Sequence, residues 1–174
     1  MFPETLQTSR LRFRPIGPAD AGPIFDGYAQ DPVVSRFLTW RPHAEIGETE
    51  AYVARAMAAL SSRTYVLAGR DDGRVLGAFD LVRAVPWHIS YGYVLARAEW
   101  GKGLMTEALA EAARWALGQS DVWRFGGVCD VENGASARVM EKVGLSREGV
   151  LRRWAMHPNV SAEPRDCFSY AVVR

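Results

Sequence analysis

The sequence predicts a mixed α/β (α+β) fold: a mostly antiparallel central sheet of about seven strands with about four helices on its faces. Three observations lead there. Strand-like and helix-like segments follow in the order β, α, α, β, β, β, α, β, α, β, β. Three of the strands form a meander, with Asp72-Gly73 marking a tight hairpin turn inside it. One strand–loop–helix unit (88–117) breaks the meander, so helices must cover the faces of the sheet.

The elements follow in order. LRFRPI (11–16) alternates apolar and basic residues and reads as a first strand. Pro18-Ala19-Asp20 opens a short helix ending near Ala29. DPVVSRFLTWRPH (31–43) reads as a helical turn and then loop. Residues 45–60 place Ile46, Val53, Ala56, Met57 and Leu60 near helical spacing. TYVLAG (64–69) and RVLGAFDLVR (74–83) are rich in strand formers. HISYGYVL (88–95) alternates Ile89, Tyr91, Tyr93 and Leu95, so one face is buried. The next helix runs to Leu117, with Leu104, Ala108, Leu109, Ala112, Trp115 and Ala116 on one side. VWRFGGVCDV (122–131) is a strand and NGASARVMEKVG (133–144) a short helix stopped by Gly144. Segments 147–157 and 167–174 close the sheet as an antiparallel pair.

Composition narrows the function. The chain has 174 residues, 48% of them apolar, and 21 basic against 20 acidic side chains. That length suits one domain over 1–174, and the charge balance gives no basic face for nucleic acid or membrane. The two cysteines, Cys129 and Cys167, lack metal-ligand spacing and form no disulfide framework. No metal site, no signal segment and a cytoplasmic location are the expectations.

The chemistry concentrates at WGKGLMTEAL (100–109), where a strand ends and a helix begins. Gly101 and Gly103 permit backbone angles closed to other residues and let N–H groups approach a ligand. The first helical turn leaves N–H groups unpaired and favours an anion. Lys102 adds a mobile charge and Thr106 a hydroxyl. Read by itself, the loop serves equally as a steric strand-to-helix connection. It is no Walker loop, and Thr106 stands where a dinucleotide fingerprint needs a third glycine. Downstream, Asn133 closes a strand and Ser136 opens the next helix. Their plain readings are a helix N-cap and a surface hydroxyl.

Taken together, ISYGYVLARAEWGKGLMTEAL (89–109) and VENGASARVMEKVGL (131–145) resemble the GCN5-related N-acetyltransferase (GNAT) family. They are most similar to its branch that acetylates ribosomal-protein N-termini. Weaker likeness extends through residues 11–40 and from 148 to 172. The resemblance implies a GNAT fold that splays between two parallel central strands, and acetyl-CoA as cosubstrate in that splay. It implies that Tyr93, Val94, Leu95 and Arg97 pair with the pantetheine arm. It implies that the N–H groups of Gly101, Lys102, Gly103, Leu104, Met105 and Thr106 hold the pyrophosphate. The family loop pattern Gln/Arg-x-x-Gly-x-Gly/Ala is laid onto Trp100, Gly103 and Met105. Asn133 falls where the family contacts the pantetheine, and Ser136 where a hydroxyl protonates the departing thiolate. Arg138 is assigned to the CoA phosphates, while Lys142 reads as a solvated charge.

The implied reaction is direct attack of a primary amine, on a peptide N-terminus or a small molecule, on the thioester. Many relatives carry a Glu base where this chain has Ser90, so Asp80 or a water wire near Ser90 is the expected base, with His88 a lesser candidate. Phe37, Trp40 and Ser90 are expected along the acceptor cleft, with Trp87 and Trp154 as further aromatic candidates. The state in solution is expected to be monomer or homodimer. The missing Glu keeps one alternative: an acyl-CoA-binding sensor without turnover.

Overall fold

The computed structural model describes residues 2–174. Eight strands form one sheet: β1 (Leu6–Gln7), β2 (Leu11–Pro15), β3 (Ser62–Gly69), β4 (Val75–Val85), β5 (His88–Leu95), β6 (Arg124–Asp130), β7 (Ser146–Ala155) and β8 (Arg165–Val173). The helices are α1 (Ala21–Ile24, continued by one π-type turn to Ala29), α2 (Ile46–Ala58), α3 (Leu104–Leu117) and α4 (Gly134–Val143). The strand beyond the sequence expectation is β1. Two residues are too short to show a period, and pairing with β2 alone creates the strand.

The spatial order is β1-β2-β3-β4-β5-β6-β8-β7, antiparallel throughout except for β5 against β6. That exception shapes the molecule. The two strands pair only at His88–Arg124, Ile89–Phe125 and Ser90–Gly126. Beyond Ser90, β5 stays paired with β4 and β6 with β8, but they no longer pair with each other. The sheet therefore splays open toward the C-terminal ends of both strands. Gly127 sits at the start of the gap, and a Cβ there would stand 2.8 Å from the Tyr91 ring. The tyrosine fills the space that a side chain at position 127 would need.

Alternation along the strands builds two cores, one per face. Phe13, Tyr65, Phe79, Ile89 and Phe125 pack under α3 and α4. Leu104, Met105, Ala108, Leu109, Ala112, Ala113 and Ala116 form the buried stripe of α3, while Trp115 flanks it half-buried. On the other face, Ile24, Tyr28, Val53 and Val66 pack under α1 and α2. The expected helix stop is present: Gly144 takes φ +92°, and Leu145 N–H returns to Met140 O at 3.1 Å. No helix among the described residues is long and apolar enough to cross a membrane.

Candidate active site

The loop after β5 is built from backbone. Gly101 and Gly103 take φ +76° and +75°, the left-handed region that costs other residues roughly 1–2 kcal/mol. These two reversals, with Lys102 between them, turn the chain sharply into α3. The backbone N–H groups of residues 101–106 find no hydrogen-bond acceptor among the described residues, and the first intrahelical bond is Glu107 N–H to Gly103 O, 3.1 Å. A run of unpaired N–H groups at a helix N-terminus is an anion cradle. Leu104 and Met105 bury their side chains, so they offer the cradle only backbone.

Two expectations about this loop change. The family pattern shifts by two residues: its paired glycines are Gly101 and Gly103, the positions with positive φ, and Ala98 then occupies the Gln/Arg position. Lys102 is also not a free charge, since its ammonium pairs with the buried Glu99 at 2.9 Å and Arg74 joins from the other side at 3.3 Å. Trp100 anchors the loop, its indole N–H donating to Leu95 O at 2.8 Å. That leaves Tyr93 and Val94 as the β5 backbone bordering the splay, with Arg97 exposed on the turn that follows.

The α3/α4 side of the splay carries Ser136. Its N–H is capped by Asn133 Oδ1 at 3.1 Å, so Asn133 is an N-cap, as its plain reading has it. Among the described residues the Asn133 amide nitrogen has no partner. The Ser136 hydroxyl lies 2.7 Å from the Tyr93 hydroxyl. Burial pushes the Tyr93 phenol up to about 12, against the lowering effect of the Ser136 bond, so the phenol stays protonated at neutral pH. The sequence reading missed this hydroxyl because it treated Tyr93 as backbone only; alternation with Tyr91 was the available signal. Arg138 folds back over the first turn of α4, with Nη1 3.3 Å from the position of a Gly134 Cβ, and Lys142 is exposed.

The α1/α2 side carries Asp80, on β4 opposite Gly92 of β5 and Thr64 of β3. Its Oδ1 is buried without a partner, and among the described residues no cation pairs with it. Burial pushes the carboxyl up, against the smaller effect of a Thr64 hydroxyl bond. Tyr28 and Tyr52 are raised by burial and by this same carboxylate, and the Tyr28 hydroxyl is likewise unpartnered. Ser90 shares this face one alternation away, opposite Val82. Trp40, Tyr52 and Val94 each pack against the α1/α2 core, and the Trp40 ring lies 5.1 Å from His43. Asn159, between β7 and β8, donates to Ser35 O and Trp40 O, both at 2.7 Å. This ties the two loops that border the face. Phe37 stacks under Arg36, whose guanidinium lies 4.9 Å from the ring centroid.

Some candidates lie elsewhere. Trp87 sits at the closed end of the splay, where its carbonyl accepts from Trp123 and Arg124. His88 begins β5 at the same end, and Trp154 is exposed on the edge strand β7. A cavity of about 540 Å³, lined by Pro15, Ala59, Leu60 and Arg83 among others, touches neither β5, β6 nor the cradle.

The comparisons agree with this architecture. The chain is 27% identical over its full length to the uncharacterised N-acetyltransferase YoaA of Bacillus subtilis, covering 98% of that protein. A GNAT-family acetyltransferase from Bacillus anthracis superposes with a TM-score of 0.85 at 22% identity, covering 97% of this chain and 98% of that one. The ribosomal L7/L12 alpha-N-protein acetyltransferase RimL, solved with coenzyme A, gives a TM-score of 0.85 at 18% identity, covering 98% of both chains. The Acetyltransferase (GNAT) domain model matches residues 10–146, well over half the sequence, and the chain belongs to the GNAT family of acetyltransferases.

Proposed function

We propose that the protein is an acetyl-CoA-dependent N-acetyltransferase, a single domain working in the cytoplasm. In this reading it transfers acetyl to a primary amine on a peptide N-terminus or a small molecule. The observation that carries the reading is the splay between β5 and β6, ending at a cradle of six consecutive unpaired N–H groups. The cradle suits the pyrophosphate of acetyl-CoA, and the free β5 edge at Tyr93–Val94 suits its amide-rich arm. Acetyl-CoA supplies the activated acyl group.

The chain's own groups divide by face. Asp80 receives the proton of the incoming ammonium on the α1/α2 side. Its raised pKa improves it as a base, and its buried unpaired oxygen leaves it free for a cationic amine. Ser136 lies on the α3/α4 side and donates a proton to the leaving sulfur. Tyr93 replenishes and orients it through the 2.7 Å contact. Acid and base thus act from opposite faces through the gap. Asn133 and Arg138 border the donor arm, and Phe37, Trp40 and Ser90 border the acceptor. The likeness to the ribosomal-protein N-terminal branch supports a peptide N-terminus as one acceptor class.

The test is thiol release from acetyl-CoA with a panel of amines and N-terminal peptides, beside a thermal shift with acetyl-CoA alone. Stabilisation by acetyl-CoA together with acceptor-dependent thiol release supports the enzyme. Stabilisation without release from any acceptor would leave the sensor.

A further inference from the structure

We propose that Arg10, in the turn between β1 and β2, is a positioning residue that sets acetyl-CoA affinity. It does so by pinning the pyrophosphate cradle and cancelling the carboxylate of Glu107 beside it. The inference rests on the donor-site reading above.

Glu107 stands in the first turn of α3, the turn whose N–H groups form the cradle. A carboxylate there suits the helix dipole but repels a second anion. Burial alone would raise its pKa. Hydrogen bonds from Thr8, Arg10 and Ser9 outweigh that and hold it at about 2, so it is charged whenever the enzyme works. The β1–β2 turn closes over this charge. Ser9 Oγ and Arg10 N–H both donate to Oε1 at 2.9 Å. Arg10 Nε and Nη2 donate to Oε2 at 2.7 and 2.6 Å. The fork geometry of Arg makes this a two-bond clasp that a Lys would not reproduce.

The third arm of the guanidinium reaches the cradle itself. Arg10 Nη1 donates to Lys102 O at 2.9 Å. A peptide plane directs its C=O and N–H to opposite sides. Drawing the Lys102 carbonyl to Arg10 therefore turns the Gly103 N–H away from it and leaves that donor free. The guanidinium also stands against the loop, with Nη2 3.7 Å from the position of a Gly103 Cβ. Lys102 is also ion-paired, to Glu99, but its ammonium makes no bond to the loop backbone. Arg10 is thus the cation that the fold places directly against the cradle, from about ninety residues away in sequence.

The experiment compares Arg10→Ala, Arg10→Lys, Glu107→Gln and the double variant Arg10→Ala/Glu107→Gln. Each is titrated with acetyl-CoA by calorimetry and assayed with acetyl-CoA and with S-acetylpantetheine, which lacks the pyrophosphate. The expected result for Arg10→Ala is a rise of about tenfold or more in Kd and KM for acetyl-CoA. Acceptor KM, and kcat/KM with S-acetylpantetheine, stay within twofold of wild type. Adding Glu107→Gln recovers part of the loss, and Arg10→Lys falls between. A merely structural arginine would lower Tm and spare Kd. The proposal is overturned if Arg10→Ala and Arg10→Lys bind acetyl-CoA within twofold of wild type, or if both donors suffer equally. Absence of acetyl-CoA binding by the wild-type protein would instead overturn the donor-site reading beneath it.

Discussion

The two faces of the splay are built from different materials. On the α3/α4 side the proposed donor site is one continuous stretch, β5 through the first turn of α3, closed by the start of α4. Its working parts are backbone N–H groups, two left-handed glycines and a short hydroxyl pair. On the α1/α2 side the proposed acceptor region is assembled from five separate segments: Asp80 from β4, Tyr28 and Tyr52 from two helices, Trp40 from a loop and Asn159 from another. The difference teaches where variation is tolerated. A backbone cradle survives side-chain change as long as the glycines remain. The proposed acceptor face is made of side chains, so each replacement is expected to alter what it accepts.

The sharpest way to separate the faces is Asp80→Asn. Removing the base is expected to lower kcat by about 10²–10⁴-fold while acetyl-CoA Kd stays unchanged. The wild-type rate should fall as pH drops through the raised Asp80 pKa, and that limb should vanish in the variant. Stability should move the other way. A carboxyl with a raised folded pKa favours folding when protonated and loses that contribution as pH rises. Asp80→Asn should therefore melt no lower than wild type at pH 7, and denaturant curves would show it. Unchanged kcat would break the assignment of the base to this face.

Gly103→Val strikes the other face. Branching at φ +75° should weaken acetyl-CoA binding by about tenfold to a hundredfold, read by calorimetry, with acceptor KM little changed. Tyr93→Phe is milder. Loss of one hydrogen bond to Ser136 is worth about 0.5–1.5 kcal/mol, and it should appear in kcat rather than in Kd. Smallest is Asn133→Ala, expected to cost about 1 kcal/mol of stability through the lost cap, with a modest rise in acetyl-CoA KM.

The same contrast explains what could be read from sequence. Strand alternation, Asp72-Gly73 and Gly144 located most elements because each reports local backbone physics. Gly101 and Gly103 marked the cradle for the same reason. The parts that escaped depend on tertiary contact. β1 exists only through its partner strand. Lys102 looked free because Glu99 becomes its partner only when the turn at Arg97–Glu99 folds. Arg10 is an ordinary basic residue just before the β2 pattern until the β1–β2 turn closes over Glu107 of α3. The hydroxyl of Tyr93 meets Ser136 across 43 residues. Trp87 looked like a cleft residue because sequence proximity to Ser90 hides that it lies at the closed end.

The most direct test of the donor face is a pair of titrations of the wild-type protein, one with acetyl-CoA and one with S-acetylpantetheine. If the six N–H groups hold the pyrophosphate, acetyl-CoA should bind at least about a hundredfold more tightly, and raising salt should narrow the gap. Equal affinities for the two would contradict the cradle.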